Sequence, residues 1–379
     1  MKQDKLIIFT NIPAPYRVTM FNDLVKVFQQ EGRPLDFKVL FMGRTEPNRS
    51  WEVNTEKFFF PFSIGRGLLF STKRYYFYLN FFLLLECIKP NKHLLLGASW
   101  NNVNVLILVL LKRLGLLSNT ISIWSEANYM TCGSQRTGRL KALFRRWVLN
   151  SVDGFFVLPG RIAVFTLERW GVKSGRVLIL PNLVDDKLFG GSKPKCVPAK
   201  GLLRVLLVAR LDERSKGILN FMSAIGRGIL SNVELRIVGE GGSRGLYRDY
   251  ILENGLEENV FLLGSRSPED VAYEYDRADI FVLPSLSDPS PLAVVEALKK
   301  GLPLFISNRC GNHFEAVSEG DNGFIFDPMN HAEVKEKFLL MLEDRNRLAS
   351  FSKKSCELAD RNFNTESILR KVFSDLSSH

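Results

Sequence analysis

Two cations in the second half of the chain are placed where they could hold a charged phosphate group. Arg210 follows a short apolar segment, and Lys216 lies six residues further on. Arginine can chelate two phosphate oxygens, whereas lysine acts as a point charge. A diphosphate that departs in a reaction gains negative charge, which nearby cations stabilise. The pair therefore predicts a site for a diphosphate leaving group, although each residue alone is also typical of a solvated surface charge.

A helix N-terminus is predicted close to these cations. Residues 280–283 are typical of a buried strand, and a helix is predicted to begin after them with Ser290 as N-cap and Pro291 as its first residue. A helix N-terminus carries about half a positive charge and offers free backbone amides, so it suits a phosphate. We therefore expect the amides of Leu292 and Ala293 to face the ligand.

The second turn of the same helix carries Glu296. A carboxylate at this point can accept both hydroxyls of a ribose while the phosphates remain at the helix end. For this residue alone, an exposed helix glutamate without a ligand is the alternative. A nucleotide-binding role for Glu296 is predicted only because the same helix lies near Arg210 and Lys216.

Short apolar segments alternate with helical ones throughout, which predicts the elements that position these residues. This rhythm is typical of an α/β fold with two doubly wound, Rossmann-like parallel sheets that face each other across a cleft at the carboxyl ends of their strands. The predicted strands are residues 6–10, 37–41, 94–96, 121–124, 155–158 and 177–180 in the first half, and 204–208, 234–238, 260–263, 280–283, 304–306 and 324–326 in the second.

A segment rich in glycine, proline and lysine at 190–201 lacks periodicity and is the best linker in the sequence. It predicts a first domain at 1–190, which we expect to bind the acceptor, and a second domain at 191–379, which we expect to bind the nucleotide. Whether the last helix packs back on the first domain is left open. The chain has ample length for two separate hydrophobic cores.

Charge is divided unevenly between the two halves. Residues 1–190 hold 26 of the 51 basic residues and 13 of the 40 acidic ones, a net charge of +13, which leaves −2 for residues 191–379. A polyanion, an anionic membrane surface or an anionic lipid substrate could select for such a surplus, and a solvated basic face is the alternative. Nucleic acid is set aside because no recognition motif accompanies the charge.

Residues 58–87 are rich in aromatic side chains, and basic residues are interleaved with them. Aromatic and basic side chains together suit a membrane interface. The alternative is that most of these rings pack inside the first sheet. We expect the patch to favour an acceptor at a membrane surface. The interleaved basic residues are Lys57, Arg66, Lys73 and Arg74.

We expect a cytoplasmic protein, which could lie peripherally on the cytoplasmic face of a membrane. The N-terminus lacks the apolar core and cleavage site of a signal peptide. The runs at 75–85 and 105–111 are shorter than the roughly 20 residues that span a bilayer. The cysteines are odd in number and widely spaced, which indicates reduced thiols without a zinc site. They are Cys87, Cys132, Cys196, Cys310 and Cys356.

Four motifs in the second half resemble those of the retaining GT-B glycosyltransferases called glycosyl transferases group 1, or glycosyltransferase family four. That family carries G-R-L-x(3 or 4)-K-G, V-G-x-G, P-S-x-x-E-G-x-P-L-x-x-x-E-A and G-G-x-x-E, in this order. The resemblance covers essentially the whole chain, weakly in the first half. The corresponding segments here are 209–217, 238–241, 284–297 and 311–315.

The resemblance implies roles for matching residues. It places the phosphate-binding pair on Arg210 and Lys216, the ribose-binding acid on Glu296, and the first acid of the E-x7-E pair on Asp288. Asp288 keeps the charge of the family glutamate but shortens its reach, which weakens a role in holding sugar hydroxyls. Pro289 and Asn312 replace family glycines. The resemblance further implies donor contacts at Gly239, Gly241 and Glu315.

In the first half, the resemblance points to two cleft segments. The loop after the first strand, with Asn11, Tyr16 and Arg17, is where family members contact the acceptor or the donor sugar; a rigid turn without chemistry is the alternative. Glu126 ends a strand where many relatives carry a histidine that touches the donor sugar. It is expected to replace that histidine, to bind an acceptor hydroxyl, or merely to cap a helix.

These features predict a retaining hexosyltransferase that uses a UDP- or GDP-sugar donor and a glycolipid or polysaccharide acceptor, in cell-envelope polysaccharide or lipopolysaccharide biosynthesis. No Asp-x-Asp motif offers carboxylates to a catalytic metal, so we expect neither a metal nor another cofactor. A GT-B sugar-nucleotide epimerase and a non-catalytic sugar-nucleotide-binding subunit are the two alternatives.

Overall fold

The computed structural model contains two parallel sheets with helices packed against them. It describes residues 5–45, 53–71, 76–131, 138–172, 175–191, 193–195 and 200–378. Among these residues, no helix combines the length and the apolar character needed to cross a membrane. Cys132, Cys196, Lys73 and Arg74 lie outside the described residues.

The first sheet has seven strands in the order β3-β2-β1-β6-β7-β8-β9, and a separate antiparallel hairpin joins β4 to β5. The strands are β1 (Leu6–Thr10), β2 (Phe37–Phe41), β3 (Phe62–Ile64), β4 (Leu68–Ser71), β5 (Tyr76–Leu79), β6 (His93–Gly97), β7 (Thr120–Trp124), β8 (Phe155–Leu158) and β9 (Arg176–Ile179). The helices are α1 (Pro15–Gln30), α2 (Phe81–Ile88), α3 (Val103–Arg113), α4 (Arg139–Leu149), α5 (Arg161–Arg169) and α6 (Asp186–Phe189).

The second sheet has six strands in the order β12-β11-β10-β13-β14-β15. The strands are β10 (Leu203–Val208), β11 (Val233–Val238), β12 (Val260–Gly264), β13 (Ile280–Leu283), β14 (Leu304–Ser307) and β15 (Gly323–Phe326). The helices are α7 (Glu213–Lys216), α8 (Ile218–Ile225), α9 (Arg227–Leu230), α10 (Arg244–Glu253), α11 (Pro268–Arg277), α12 (Leu292–Lys299), α13 (His313–Ala316), α14 (His331–Glu343), α15 (Arg345–Asn362) and α16 (Thr365–Ser377).

The predicted fold class is confirmed, and every predicted strand is present within one or two residues of its predicted bounds. Strands β3, β4 and β5 were not predicted, because the aromatic run that contains them shows no clean alternation of apolar and polar residues. The apolar residues 218, 221, 222, 225 and 229 follow the spacing of one continuous helix, but this helix is interrupted in the structure. Gly226 has a φ of 77° there and separates α8 from α9.

Alternating side chains of β1 build cores on both faces of the first sheet. Leu6 and Ile8 pack in one apolar cluster with Phe21 of α1, whereas Ile7 and Phe9 pack in another cluster with helices α2 and α3. Successive strand residues point to opposite faces, so a strand covered on both faces is apolar throughout. The continuous apolar sequence of β1 therefore follows from its central position.

The last helix of the chain packs on the first domain. Leu369 and Phe373 of α16 are fully buried in the same cluster as Leu24 of α1. The Nδ1 atom of His93 lies 2.8 Å from the carbonyl oxygen of Leu376, which fixes the end of α16 against the start of β6. The C-terminal segment thus completes the core of the domain that begins the chain.

We expect Phe373→Ala to destabilise the protein by about 3–5 kcal/mol, because the variant loses a buried ring and leaves a cavity between α1 and α16. Lys371→Ala, which changes an exposed residue of the same helix, is the matched control. Thermal unfolding of both variants measures the difference. Equal melting temperatures for the two variants would show that α16 does not stabilise the first domain.

Candidate functional site

Loops from neighbouring strands of the second sheet meet at one edge. The strand order places β11, β10, β13 and β14 side by side and parallel. Their carboxyl ends point the same way, so the loops that follow them are neighbours. Arg210 and Lys216 follow β10, and Asp288 follows β13. The fold therefore brings these three predicted residues to one edge of the sheet.

Backbone contacts join the loop after β10 to the loop after β13. The carbonyl oxygen of Ser215 accepts hydrogen bonds from the amides of Leu286 and Ser287, at 2.9 and 3.0 Å. Gly217 has a φ of 60°, and a Cβ at this position would lie 3.0 Å from the carbonyl oxygen of Pro284. A glycine satisfies both the left-handed backbone and the close approach. Lys216 is held at the loop after β13 as a result.

Lys216 forms an ion pair with Asp288, and both side chains are mostly buried. The backbone of Asp288 is fixed by the loop after β14, because its carbonyl oxygen accepts a hydrogen bond from the amide of Gly311 at 2.9 Å. Two residues with separately predicted roles are therefore direct partners in the structure. An anion that bound Lys216 would compete with the carboxylate of Asp288 for the same ammonium group.

Arg210 is far more accessible than Lys216, with 68% of its side chain exposed. One of its Nη atoms donates to Asp212 at 3.2 Å. A hydrogen bond from the Ser215 hydroxyl, helped by the charge of Arg210, holds the pKa of Asp212 below its usual range. An exposed ion pair of this kind contributes little to stability. Arg210 can therefore turn from Asp212 to an incoming phosphate at small cost.

Gly239 and Gly241 occupy the loop after β11, where it packs against the loop after β10. A Cβ on Gly239 would lie 1.9 Å from the carbonyl oxygen of Ala209, and a Cβ on Gly241 would lie 2.3 Å from that of Leu211. These approaches leave no room for a side chain. The structure thus explains both glycines by the packing of two loops, and their predicted contact with a nucleotide stays a prediction.

The helix predicted to bind phosphate, α12, begins one residue later than expected. Pro291, not Ser290, is the N-cap, and no side chain caps the helix. The carbonyl oxygen of Ser290 accepts a hydrogen bond from Asn182 of the first domain at 3.1 Å, and that of Pro291 accepts one from Asn312 at 3.0 Å. These contacts hold the preceding loop extended, so Leu292 is the first helical residue. Asn312, which replaces a family glycine, thereby helps to place the start of α12.

Glu296 lies in the second turn of α12 and pairs with a buried tyrosine of α11. The hydroxyl of Tyr275 donates to its Oε2 at 2.8 Å. Burial raises the pKa of Glu296 to about 7, although the tyrosine hydrogen bond acts in the opposite direction. Burial, together with the Glu296 carboxylate, raises the pKa of Tyr275 well above its usual value. The Glu296 carboxyl group therefore gains or loses its proton near neutral pH.

A cavity of about 670 Å³ lies at the carboxyl edge of the first sheet. Leu292, at the start of α12, contributes to its wall, so the cavity lies where the two domains meet. Four residues predicted in the first half also line it: Asn11, Tyr16, Arg17 and Glu126.

Arg17 orients Glu126 within this cavity. Its Nη2 donates to the Glu126 Oε1 at 2.8 Å, and its guanidinium lies 3.5 Å from the centre of the Trp124 ring. Arg17 is almost fully buried, whereas about a third of the Glu126 side chain is exposed. Residues 125–131 contain no helix, so Glu126 is not the N-cap of a helix that follows β7 directly. Its carboxylate faces the cavity with one oxygen held by Arg17.

Trp100, Trp124 and Trp170 also line the cavity, although the sequence pattern did not point to them. Trp100 follows β6 and Trp124 ends β7, so the rule that the carboxyl ends of parallel strands form sites could have found both. Trp170 follows α5, a position for which that rule gives no signal. Aromatic rings of this kind can pack against the apolar faces of sugar rings.

Glu315 reaches the other domain. The backbone amide of Arg161, the first residue of α5, donates to its Oε1 at 2.8 Å. A Cβ on Gly160 would lie 2.7 Å from its carboxylate. Burial raises the pKa of Glu315. The structure thus places Glu315 at a helix N-terminus across the domain interface, and a donor contact for it stays a prediction.

Asn128 also lies where the two domains meet, because its Nδ2 lies 2.8 Å from the position of a Cβ on Gly311. The rings of Phe165 and Phe314 meet edge to face at 6.2 Å beside it. Amide and aromatic side chains near Glu315 therefore contribute to the contact between the domains. The described residues contain no cluster of three or more histidine, cysteine or acidic side chains placed to hold a metal ion.

Residues 193–357 match the family model described as Glycosyl transferases group 1. A galactosyltransferase of Escherichia coli, UDP-Gal:alpha-D-GlcNAc-diphosphoundecaprenol alpha-1,3-galactosyltransferase, is 30% identical over 48% of this chain and 48% of its own length. The amylovoran biosynthesis glycosyltransferase AmsK of Erwinia amylovora is 34% identical over 37% of this chain and 36% of its own length. The matched region thus spans half or less of these curated relatives.

The whole chain is similar to a solved structure with a low sequence identity. HepE of Anabaena, determined in complex with UDP, superposes with a TM-score of 0.74 at 14% identity, covering 99% of this chain and 100% of that one. At this identity the likeness shows the fold alone. The architecture of two facing α/β domains is thereby the GT-B fold.

We expect Gly239→Ala to destabilise the protein by about 1–3 kcal/mol, because a Cβ would meet the carbonyl oxygen of Ala209 and the φ of 140° is strained for alanine. Gly242→Ala is the control, since a Cβ there has no neighbour within 4 Å. Melting temperatures measure both. If the two variants melt together, the close packing of these loops is not the reason for the glycine.

Glu296 should make stability depend on pH. A raised pKa means that the folded protein binds this proton more tightly than the unfolded chain does, so the stabilisation is complete below the usual carboxyl pKa of 4.5 and is lost as the pH rises towards about 7. Glu296→Gln should remove this loss and raise the melting temperature relative to wild type at pH 8. Glu257→Gln, an exposed change, is the control. Melting curves of wild type and Glu296→Gln that run parallel from pH 5 to pH 8 would contradict the assignment.

Proposed function

We propose that this chain, a GT-B protein whose residues 193–357 form a glycosyl transferases group 1 domain, transfers a hexose from a nucleotide-diphosphate sugar to a glycan or glycolipid acceptor. The observation that carries the proposal is the arrangement at the carboxyl edge of the second sheet. Arg210, Lys216 and the N-terminus of α12 lie on the loops that follow two adjacent parallel strands, β10 and β13, and Glu296 follows one turn into the helix.

The donor in this proposal lies against the second domain. The diphosphate contacts Arg210, Lys216 and the first amides of α12, and the ribose hydroxyls contact Glu296. A ribose needs the ionised carboxylate as acceptor, so donor binding draws the proton from Glu296 and strengthens as the pH rises through about 7. UDP is the first candidate nucleotide, supported by the E. coli relative named for UDP-Gal and the UDP complex of HepE. GDP is the second.

The reaction breaks the bond between the anomeric carbon and the diphosphate oxygen. The electron pair of this bond goes to the diphosphate, where Arg210 and Lys216 stabilise the growing charge. The acceptor oxygen bonds to the anomeric carbon on the same face, and its proton passes to the departing phosphate, which retains the configuration. Lys216 exchanges Asp288 for the diphosphate, so the Asp288 carboxylate becomes available to a hydroxyl of the donor sugar.

The acceptor occupies the cavity of the first domain. Glu126 offers a hydrogen-bond acceptor to a sugar hydroxyl, and the rings of Trp100 and Tyr16 offer apolar faces for packing. Leu292 lines this cavity and begins α12, so an acceptor in the cavity would lie next to the proposed phosphate position.

The proposal takes transfer to be metal-independent and cytoplasmic, in the synthesis of a cell-envelope polysaccharide or lipopolysaccharide. Two cations and a helix N-terminus supply the positive charge that a metal supplies elsewhere. The relative AmsK is named for amylovoran biosynthesis, and the E. coli relative for a diphosphoundecaprenol-linked acceptor. These names support a glycan or a lipid-linked glycan as acceptor.

Arg210→Ala should lower kcat by about 100-fold to 1000-fold and weaken the donor Kd much less, because charge on the leaving oxygen grows only as the bond breaks. Arg248→Ala, at an exposed arginine of α10, is the control and should change neither. Steady-state kinetics and donor titration measure the two quantities, and EDTA should leave the wild-type rate unchanged.

Three results would contradict the proposal or the role that it gives to Arg210. Equal loss of affinity and kcat/KM with unchanged kcat would make Arg210 a binding residue only. Tight donor binding without turnover on any acceptor would indicate a non-catalytic binding subunit. Conversion of the donor to an epimer without an acceptor would indicate an epimerase.

A further inference from the structure

Helix α4 presents an apolar stripe to solvent. Leu140, Leu143, Phe144 and Trp147 follow the spacing of one helix face, and all four are exposed, with Leu140 at 84%. Such a stripe ordinarily faces a core. In α4 the core-facing side is made by other residues, including the fully buried Val148. Among the described residues, these four apolar side chains therefore keep 40% or more of their surface exposed to solvent.

Helices α2 and α3 extend this stripe into a larger surface. Val148 of α4 packs in one cluster with Leu108 of α3 and Cys87 of α2, so the three helices lie on the same side of the first sheet. The guanidinium of Arg113, at the end of α3, lies 5.8 Å from the centre of the Trp147 ring. We call the exposed apolar residues of these helices and of the loop after α3 the outer apolar face. Besides the α4 stripe it comprises Phe81, Phe82, Leu85, Ile88, Leu110, Leu114 and Leu116.

The segments that carry this face are strongly basic. Residues 81–116 and 138–150 contain eight lysines and arginines but a single acidic residue, Glu86. Arg139, Lys141 and Arg146 are exposed on α4 itself, which has no acidic residue. Basic side chains around exposed leucine, phenylalanine and tryptophan are the composition of helices that lie in the interface of an anionic membrane.

This charge decides between the candidate partners. A second copy of the chain would bring the same positive charges against each other, which disfavours self-association through this face. An anionic bilayer instead attracts the lysines and arginines and accepts the apolar side chains between its headgroups. Each exposed basic residue near such a surface adds to the attraction. Five of the eight are exposed, namely Lys89, Arg113, Arg139, Lys141 and Arg146.

The outer apolar face adjoins the cavity of the first domain. Trp100 lines that cavity, and its ring meets the ring of Phe144 in the α4 stripe edge to face, with centroids 6.4 Å apart. The N-termini of α2 and α4 lie towards the carboxyl edge of the sheet, because each helix precedes the amino end of a parallel strand. A membrane against this face would therefore lie beside the cavity opening.

We propose that α2, α3 and α4 dock on the surface of an anionic bilayer and hold the cavity of the first domain next to it. The surface involves neither Arg210 nor Glu126. Vesicle binding is measured without donor or acceptor, so its failure and a failure of the proposed transfer are separate results.

Flotation of the full chain with vesicles tests the proposal. The protein should float with vesicles of phosphatidylcholine and phosphatidylglycerol in equal parts, much less with phosphatidylcholine alone, and less as salt is added. Leu140→Ser combined with Leu143→Ser should weaken binding at least about tenfold, because two exposed leucines no longer insert. Leu246→Ser with Leu252→Ser, at exposed leucines of α10 in the other domain, is the control.

A charge variant separates the two contributions. Arg139→Glu with Lys141→Glu should also weaken binding to the anionic vesicles, whereas Arg248→Glu with Lys353→Glu in the second domain should not. All variants alter exposed residues, and their melting temperatures verify the fold. Absence of vesicle binding, or equal binding by the α4 variants and their controls, overturns the proposal. A dimer in light scattering that the α4 variants dissociate, without vesicle binding, assigns the face to self-association instead.

Discussion

Close approach of backbone segments at the carboxyl edge of the second sheet is the constraint on which the rest of the site depends. Carbonyl oxygens of one loop lie where a Cβ of the next would stand, at Gly239, Gly241 and Gly311. The parallel strand order brings these loops together, and the glycines let them touch. Lys216 and Asp288 become partners only because their loops are held in this way. The ion pair, the start of α12 and the position of Arg210 all follow from the packing of these loops.

Protonation and ion pairing make this edge responsive to an anion. In the structure Lys216 is neutralised by Asp288, Arg210 is loosely paired with Asp212, and the pKa of Glu296 is raised by burial to about 7. A diphosphate would replace both carboxylate partners at once, and a ribose would select the ionised form of Glu296. The first domain supplies a different chemistry, in which Arg17 holds one oxygen of Glu126 and aromatic rings surround it.

Much of the fold and part of the site could be predicted from the sequence, for physical reasons. Buried parallel strands are apolar throughout, so their positions were visible, and residues that follow them, such as Arg210 and Glu126, fall at the cleft edge as a consequence of topology. The start of α12 was predicted one residue early, because its N-cap is set by Asn182 and Asn312, which are distant in sequence. The contact of Glu315 with α5 depends on how the two domains meet, which local pattern does not encode. The apolar stripe of α4 has the same spacing as a buried helix face. Only its exposure in the structure shows that it does not face the core.

The central claim is that Lys216 binds the diphosphate of a nucleotide at this edge, and calorimetric titration with paired ligands tests it most directly. A thermal-shift comparison first selects the nucleotide, UDP or GDP, that raises the melting temperature. This nucleotide and its nucleoside are then titrated separately into wild type and into Lys216→Ala. We predict that the variant binds the diphosphate about 10-fold to 100-fold more weakly, the loss of a charge-assisted hydrogen bond, and binds the nucleoside as wild type does. Binding of neither diphosphate to wild type, or an equal loss for nucleoside and diphosphate, would contradict the account.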